Sequence, residues 1–220
     1  MASSPLVIVF AGPNGSGKST LAEEMRAREP GFPPLYINAD DIAREKKIGP
    51  REAAVEAARQ RAEALARKVS FATETVMSTV VKIDLLKDAK RAGYEIVLLF
   101  ITTQSRKINL KRIQTRVSMG GHDVPPDKTS SRYDRSMTFL AEALKIVDVA
   151  TIYNNSFEHP LLIAEKTRDG QLVIYPQEPP SIWNVERIRN LVGLATKSPF
   201  VPESQDALLR IVSNSLPWQS

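Results

Sequence analysis

Gly12-Pro13-Asn14-Gly15-Ser16-Gly17-Lys18-Ser19, with Thr20 after it, decides the reading of this chain. The stretch satisfies the pattern G-x-x-x-x-G-K-[ST]. Before it, Leu6-Val7-Ile8-Val9-Phe10 is a short apolar run ending in Ala11, as a buried strand reads. After it, residues 21–28 read as a helix that stops near Pro30-Gly31. Strand, glycine-rich turn and helix follow in the order a phosphate-binding loop requires. Glycines let the backbone curl so that successive N–H groups point inward at anionic oxygens, and the helix start adds partial positive charge. In such a loop Lys18 reaches the β- and γ-phosphates and the Ser19 hydroxyl ligates Mg²⁺. The expected ligand is a nucleoside triphosphate held by residues 12–20.

The chain around the loop suits one α/β domain. Its 220 residues are enough for a full core, and 42% hydrophobic with 25% charged residues is ordinary for a globular protein. The net charge of +5 is compatible with phosphorylated ligands but does not by itself point to DNA or RNA. With no cysteine, disulfides, thiolate metal sites and cysteine nucleophiles are excluded. That suits a reducing cytoplasm. The N-terminus lacks the basic region of a signal peptide, and no apolar stretch approaches the ~20 residues of a membrane span.

Further strands are expected at residues 35–37, 69–73, 94–101 and 149–153, the run at 94–101 being the clearest buried one. Helices are expected at about 51–68, 80–92, 105–119 and 127–146, with Gly120-Gly121-His122-Asp123-Val124-Pro125-Pro126 breaking the last two apart. Strands separated by helices give βαβ units, a mostly parallel five-stranded sheet and a three-layer fold. Residues 161–165 and 171–175 read as a hairpin about Asp169-Gly170, followed by a short helix at 182–194 and a further one near 208–212. The predicted organisation is a kinase-type domain over 1–175, with a lid at about 117–135, and a C-terminal helical extension or strap over 176–220 that carries Trp183 and Trp218.

Four features fall at the strand ends, where ligands gather in such sheets. Asp40 and Asp41 follow the second strand; a carboxylate there takes a proton from a substrate hydroxyl or helps position Mg²⁺, or else it caps or charges a helix start. Glu74-Thr75 follows the third strand and holds a metal-bound water, binds a substrate hydroxyl or caps the next helix. Arg112 and Arg116 lie four apart on one helix, and Arg132 and Arg135 stand on the next, across the glycine-rich break. Arginines that close over a transferring phosphoryl group stabilise its charge, so the segment reads as a lid. His122 reads as a hinge or hydrogen-bond residue.

Taken with Asn38-Ala39-Asp40, Phe71-Ala72-Thr73-Glu74-Thr75, the run from Arg116 to Pro125, Arg132-Tyr133-Asp134-Arg135 and Tyr153-Asn154-Asn155-Ser156, the loop resembles the zeta toxin family of P-loop kinases over roughly residues 5–175. The resemblance implies ATP or another nucleoside triphosphate with Mg²⁺, and transfer of the γ-phosphate to a hydroxyl. It implies a UDP-linked N-acetyl amino sugar as the acceptor of toxin-type members, and an antitoxin protein as partner. Position by position, Lys18 would bind the phosphates, Asp40 would be the general base, Glu74 and Thr75 would sit at the substrate side, and Arg116 would face the transferring phosphate. The family's second lid arginine falls near His122, so its role passes to Arg132 or Arg135. The family's Glu-Thr-Thr is Glu74-Thr75-Val76 here, one hydroxyl fewer.

The leading expectation is thus an ATP-dependent kinase acting on a small-molecule hydroxyl. The competing class is a nucleotide-dependent ATPase switch or binding module that signals to a protein partner. A kinase of nucleic-acid ends ranks last, because no aromatic-rich strand platform for stacking bases is apparent.

Overall fold

Alternation along two strands sets the layers. Val7, Val9 and Ala11 belong to one buried cluster, Ile8 and Phe10 to another; Ile96, Leu98 and Phe100 join the first, Val97, Leu99 and Ile101 the second. Successive strand side chains point to opposite faces, so a run that is apolar at every position must be covered on both. The computed structural model describes residues 4–120, 125–175 and 196–197. In chain order the elements are β1 (Leu6–Ala11), α1 (Lys18–Arg28), β2 (Leu35–Ile37), α2 (Ala39–Lys46), α3 (Pro50–Arg67), β3 (Phe71–Thr75) and α4 (Val80–Arg91). There follow β4 (Glu95–Thr102), α5 (Arg106–Ser118), α6 (Pro126–Leu144), β5 (Val149–Asn154), β6 (Leu161–Lys166), β7 (Leu172–Ile174) and β8 (Thr196–Lys197). Ile42 of α2, Ala53, Ala57 and Ala64 of α3, Ile83 and Leu86 of α4 and Leu140 and Leu144 of α6 cover the first face, while Ala22 and Met25 of α1 cover the second. Phe10, Phe71 and Phe100 are wholly buried, each such side chain stabilising the fold by roughly 1.5–3 kcal/mol.

The strands form one eight-stranded sheet in the order β2-β3-β1-β4-β5-β6-β7-β8. The first five run parallel, β6 and β7 are antiparallel additions, and the two-residue β8 lies parallel to β7. The expected five parallel strands are therefore present, but the hairpin is not a separate appendage. Tyr153 and Ile152 pair with Leu162 and Ala164 across a register shift, extending the same sheet. The helices expected at 182–194 and 208–212, and both tryptophans, lie outside the described residues.

Three local departures from the sequence reading have simple causes. The third strand begins at Phe71, not at Val69, because the Val69 and Lys68 N–H groups close the end of α3 on Ala64 and Leu65 carbonyls. The Tyr94 hydroxyl then donates to the Ala64 and Val69 carbonyls. Residues 39–46 form a helix of their own, started by Asn38, whose side chain accepts from the Asp40 N–H at 2.9 Å. And α1 begins at Lys18, three residues earlier than expected, since Gly17 at φ 100° turns the chain directly into it.

Register positions the site. Ala11 of β1 lies level with Thr75 of β3 and Phe100 of β4, and Ile37 of β2 lies level with Thr73. The phosphate-loop candidate, Asn38, and Glu74-Thr75 thus leave the sheet side by side at the carboxyl ends of adjacent parallel strands, the place where open α/β sheets bind ligands.

Candidate active site

Residues 12–17 wrap tightly against the end of β4 and the start of α5. A Cβ on Gly12, at φ 136°, would stand 2.0 Å from the Ile101 carbonyl oxygen, and one on Gly17 would meet the Asn155 amide at 2.3 Å. The loop is braced from outside as well. The Asn109 side chain donates to the Asn14 carbonyl at 2.7 Å and accepts from the Thr103 hydroxyl. Asn155 donates to the Ser16 carbonyl at 2.8 Å. Its neighbour Ser156 accepts from the Gln104 N–H at 2.6 Å and donates to Asn154 at 2.6 Å. The Tyr153-Asn154-Asn155-Ser156 run therefore holds the loop in shape.

Lys18 is buried, and its ammonium donates to the Pro13 carbonyl at 2.9 Å. Burial pushes its pKa down from 10.5 to about 8, although the Glu74 and Asp40 carboxylates pull it back up and Arg116 adds to the lowering. The amine is a charged group kept out of water, with no carboxylate of the described residues bonded to it, the state in which it would grip an incoming phosphate. Ser16 Oγ and Asn14 Oδ1 are also buried without a hydrogen-bond partner among the described residues. These features fit a triphosphate in the loop.

Glu74 is the hub beside it. One carboxylate oxygen accepts from the Ser19 hydroxyl at 2.9 Å; the other accepts from Asn38 at 3.0 Å and from the Tyr36 hydroxyl. Burial, and then the Glu74 charge, hold Tyr36 protonated far above the usual phenol range, so it serves as a donor. Arg26 lies over the Tyr36 ring, 5.6 Å from its centre. A serine hydroxyl beside a carboxylate at the mouth of a phosphate cradle suits Mg²⁺, which is held by one or two side-chain oxygens together with phosphates and waters. Among the described residues no cluster of three His, Cys, Asp or Glu side chains offers an alternative metal cage. Thr75 turns its oxygen to the Met77 N–H at 3.0 Å, shaping the turn after β3. Neither Glu74 nor Thr75 caps α4, which begins at Val80 behind Thr79.

Asp40 and Asp41 separate cleanly. Asn38 caps α2, which leaves both aspartates in the first turn. Asp41 is paired with Arg44 on the same helix. Asp40 instead faces the cleft and acts electrostatically on Lys18. The cleft, about 750 Å³, is walled by Asn14, Gly15, Gly17, Lys18, Ser19 and Thr20 on the loop side, while Gly12, Pro13 and Ser16 lie outside its lining. It is also walled by Asp40, Glu74 and Thr75, and by Arg112 and Arg116 of α5 with Arg132 and Arg135 of α6. All the arginines expected of the lid are brought to one space. The α6 end is fastened: Tyr133 donates to the Thr103 carbonyl at 2.6 Å, Arg135 Nε to Ser78 at 3.1 Å and Ser136 to Val76 at 2.5 Å. His122 and the centre of the expected hinge lie outside the described residues.

A family model of the zeta toxins matches residues 1–178. The chain belongs to the zeta toxin family. Over 131 residues it is 34% identical to an uncharacterized protein of Haemophilus influenzae, covering 57% of this chain and 91% of that protein. Its fold matches that of an AvrRxo1-ORF1:-ORF2 complex crystallised with ATP, with TM-score 0.63 at 14% identity over 97% of this chain and 72% of the other. It also matches a structure from the PezAT toxin-antitoxin system of Streptococcus pneumoniae, with TM-score 0.54 at 14% identity over 97% of this chain and 86% of the other. This zeta toxin relative is a P-loop kinase-type protein with a three-layer α/β fold. Among the described residues no helix is long and apolar enough to cross a membrane.

Sequence reasoning passed over Tyr36, Asn109, Arg61 and Lys82. Arg61 had a signal: it stands on the stripe of α3 that otherwise buries Ala53, Ala57 and Ala64. A charged side chain on an apolar stripe needs a reason.

Proposed function

We propose that this chain transfers the γ-phosphate of ATP to a hydroxyl of a small molecule. The observation that carries the reading is the placement of Asp40, unpaired among the described residues and open to the cleft within electrostatic reach of buried Lys18, while Asp41 is tied to Arg44. In this reading residues 12–20 wrap the phosphates and Lys18 bridges the β- and γ-oxygens. Mg²⁺, held through Ser19 with Glu74 beside it, would supply charge neutralisation between those phosphates. Asp40 accepts the proton of the acceptor hydroxyl as its oxygen bonds to the γ-phosphorus. The bond to the β-phosphate oxygen breaks, and ADP leaves. Arg116 faces the transferring group, with Arg132 or Arg135 completing the charge clamp, and Glu74 and Thr75 border the acceptor.

A UDP-N-acetyl amino sugar is the first acceptor to try, and an antitoxin-like protein the first partner, both on family grounds. An ATP-rich cytoplasm is the expected setting. The test is incubation with ATP, Mg²⁺ and a metabolite extract, followed by mass spectrometry. A new phosphorylated small molecule that is absent with Lys18→Ala supports the kinase. Slow ATP hydrolysis without any such product, with nucleotide-dependent capture of a protein, would support the switch instead.

A further inference from the structure

We propose that residues 132–136 of α6 are a crossbar through which a filled phosphate loop shapes the acceptor side of the cleft, with Tyr133 as the positioning residue. The inference rests on the kinase reading and adds to it a coupling between its two substrates: the acceptor side takes its working shape once ATP is bound.

The turn that leaves β3 lines the cleft at every position from Thr75 to Thr79. Its shape is not one the chain takes unaided. Met77, buried and without the freedom of glycine, stands at φ 51°, in the left-handed region. A side-chain-bearing residue keeps that backbone only where its surroundings over-determine it. From within the turn, the Thr75 hydroxyl accepts from the Met77 N–H at 3.0 Å. From outside, α6 holds the carbonyls on either side of Met77: Ser136 donates to Val76 at 2.5 Å and Arg135 Nε to Ser78 at 3.1 Å.

Tyr133, on the same helix, ties the other wall. Its hydroxyl donates to the Thr103 carbonyl at 2.6 Å. The Thr103 hydroxyl donates to Asn109 Oδ1, and the Asn109 amide donates to the Asn14 carbonyl of the phosphate loop at 2.7 Å. Thr103, Asn109 and Ser136 are wholly buried and Tyr133 nearly so, so water does not compete for these bonds and each is strengthened by its dry surroundings. Residues three apart on a helix lie on one side of it. Here that side spans the cleft floor, with Tyr133 reaching the nucleotide wall and Ser136 the acceptor wall. Arg132 and Arg135 ride on the same stretch and line the cleft, so the crossbar also sets both arginines against the transferring group. Asn14, where the chain of bonds begins, carries one of the two loop oxygens buried without a hydrogen-bond partner among the described residues. An amide oxygen accepts and cannot donate, so beside an arriving phosphate it has to turn away. That rearrangement is passed along buried bonds to the turn held in the left-handed conformation at Met77.

The test is hydrogen–deuterium exchange at residues 75–79, with and without saturating Mg²⁺ and a non-hydrolysable ATP analogue, in wild type, Tyr133→Phe and Ser136→Ala. Wild-type exchange at the turn is expected to slow about fivefold or more when the analogue binds. Each variant should still fill its loop, as calorimetry reads, yet lose most of that slowing. The ratio of bound to free exchange rates is decisive, because a side chain that merely supports the fold raises both rates together and leaves the ratio at its wild-type value. Tyr133→Phe keeps the buried ring, and Ser136→Ala, which removes a single oxygen, carries the test if the first variant does not fold. No slowing at 75–79 in wild type, or a wild-type ratio in either folded variant, overturns the crossbar, while analogue binding leaves the kinase reading standing. Failure of the analogue to bind wild type overturns both.

Discussion

Replacing Lys18 by methionine is expected to stabilise the unliganded protein at neutral pH. The ammonium is buried, and its pKa falls from 10.5 to about 8 on folding. That interval corresponds to about 3 kcal/mol by which folding disfavours the charged form. Below pH 8 the whole of this cost is present in the wild type. Between pH 8 and 10.5 the unfolded chain holds the Lys18 proton that the folded chain has released, so wild-type stability rises with pH across that window. Methionine removes the charge and keeps much of the apolar stem, but gives up the 2.9 Å bond to the Pro13 carbonyl, a loss of about 1 kcal/mol. The variant should therefore gain about 2 kcal/mol at pH 7 and lose about 1 kcal/mol at pH 11. Urea unfolding of both proteins at the two pH values measures this, and the other titrating groups cancel in the difference. A stability difference that stays constant from pH 7 to pH 11 would refute the reasoning, because it would mean that Lys18 is as well solvated folded as unfolded.

Gly12→Ala places a methyl 2.0 Å from a backbone oxygen at φ 136°, and should cost more than about 3 kcal/mol in denaturant unfolding; a wild-type midpoint would contradict the geometry. Tyr36→Phe removes a donor from Glu74. It is expected to lower stability by about 1 kcal/mol and to weaken Mg²⁺-dependent nucleotide binding, with calorimetry in the presence and absence of Mg²⁺ as the check; equal affinities would free Ser19 and Glu74 of the metal role. Asn155→Ala strips the Ser16 carbonyl of its 2.8 Å donor and should reduce affinity for an ATP analogue several-fold with little change in the sheet's circular dichroism. An unaltered dissociation constant would show that the loop keeps its shape without that brace.

The loop and the succession of strands and helices around it were legible because glycine spacing and unbroken apolar runs are local signals. Val7 to Phe10 and Ile96 to Ile101 announce a sheet covered on both faces, and Asp40 and Asp41 together could be marked as site candidates from their place after a short strand. What could not be read was decided by contacts far apart in the chain. Asp40 and Asp41 are equivalent in the sequence, and only the Arg44 pairing separates them. Tyr36 reads as an ordinary strand residue until β2 is laid against β3, which brings its hydroxyl to Glu74, 38 residues away. The strand after α3 was started too early because Val69 and Ser70 look like strand, yet one closes a helix and the other accepts from the Leu6 N–H at 2.9 Å. The hairpin was visible as alternation, but its joining the same sheet depends on pairing with β5.

The most direct test uses ATP radiolabelled in its γ-phosphate, mixed with Mg²⁺ and a small-metabolite extract, and compares wild type with Asp40→Asn. Wild type should move the label onto an organic acceptor. The variant should bind ATP normally and move it about 10²–10³ times more slowly. Equal rates of labelling by the two proteins would contradict the assignment of Asp40 as the group that readies the acceptor oxygen.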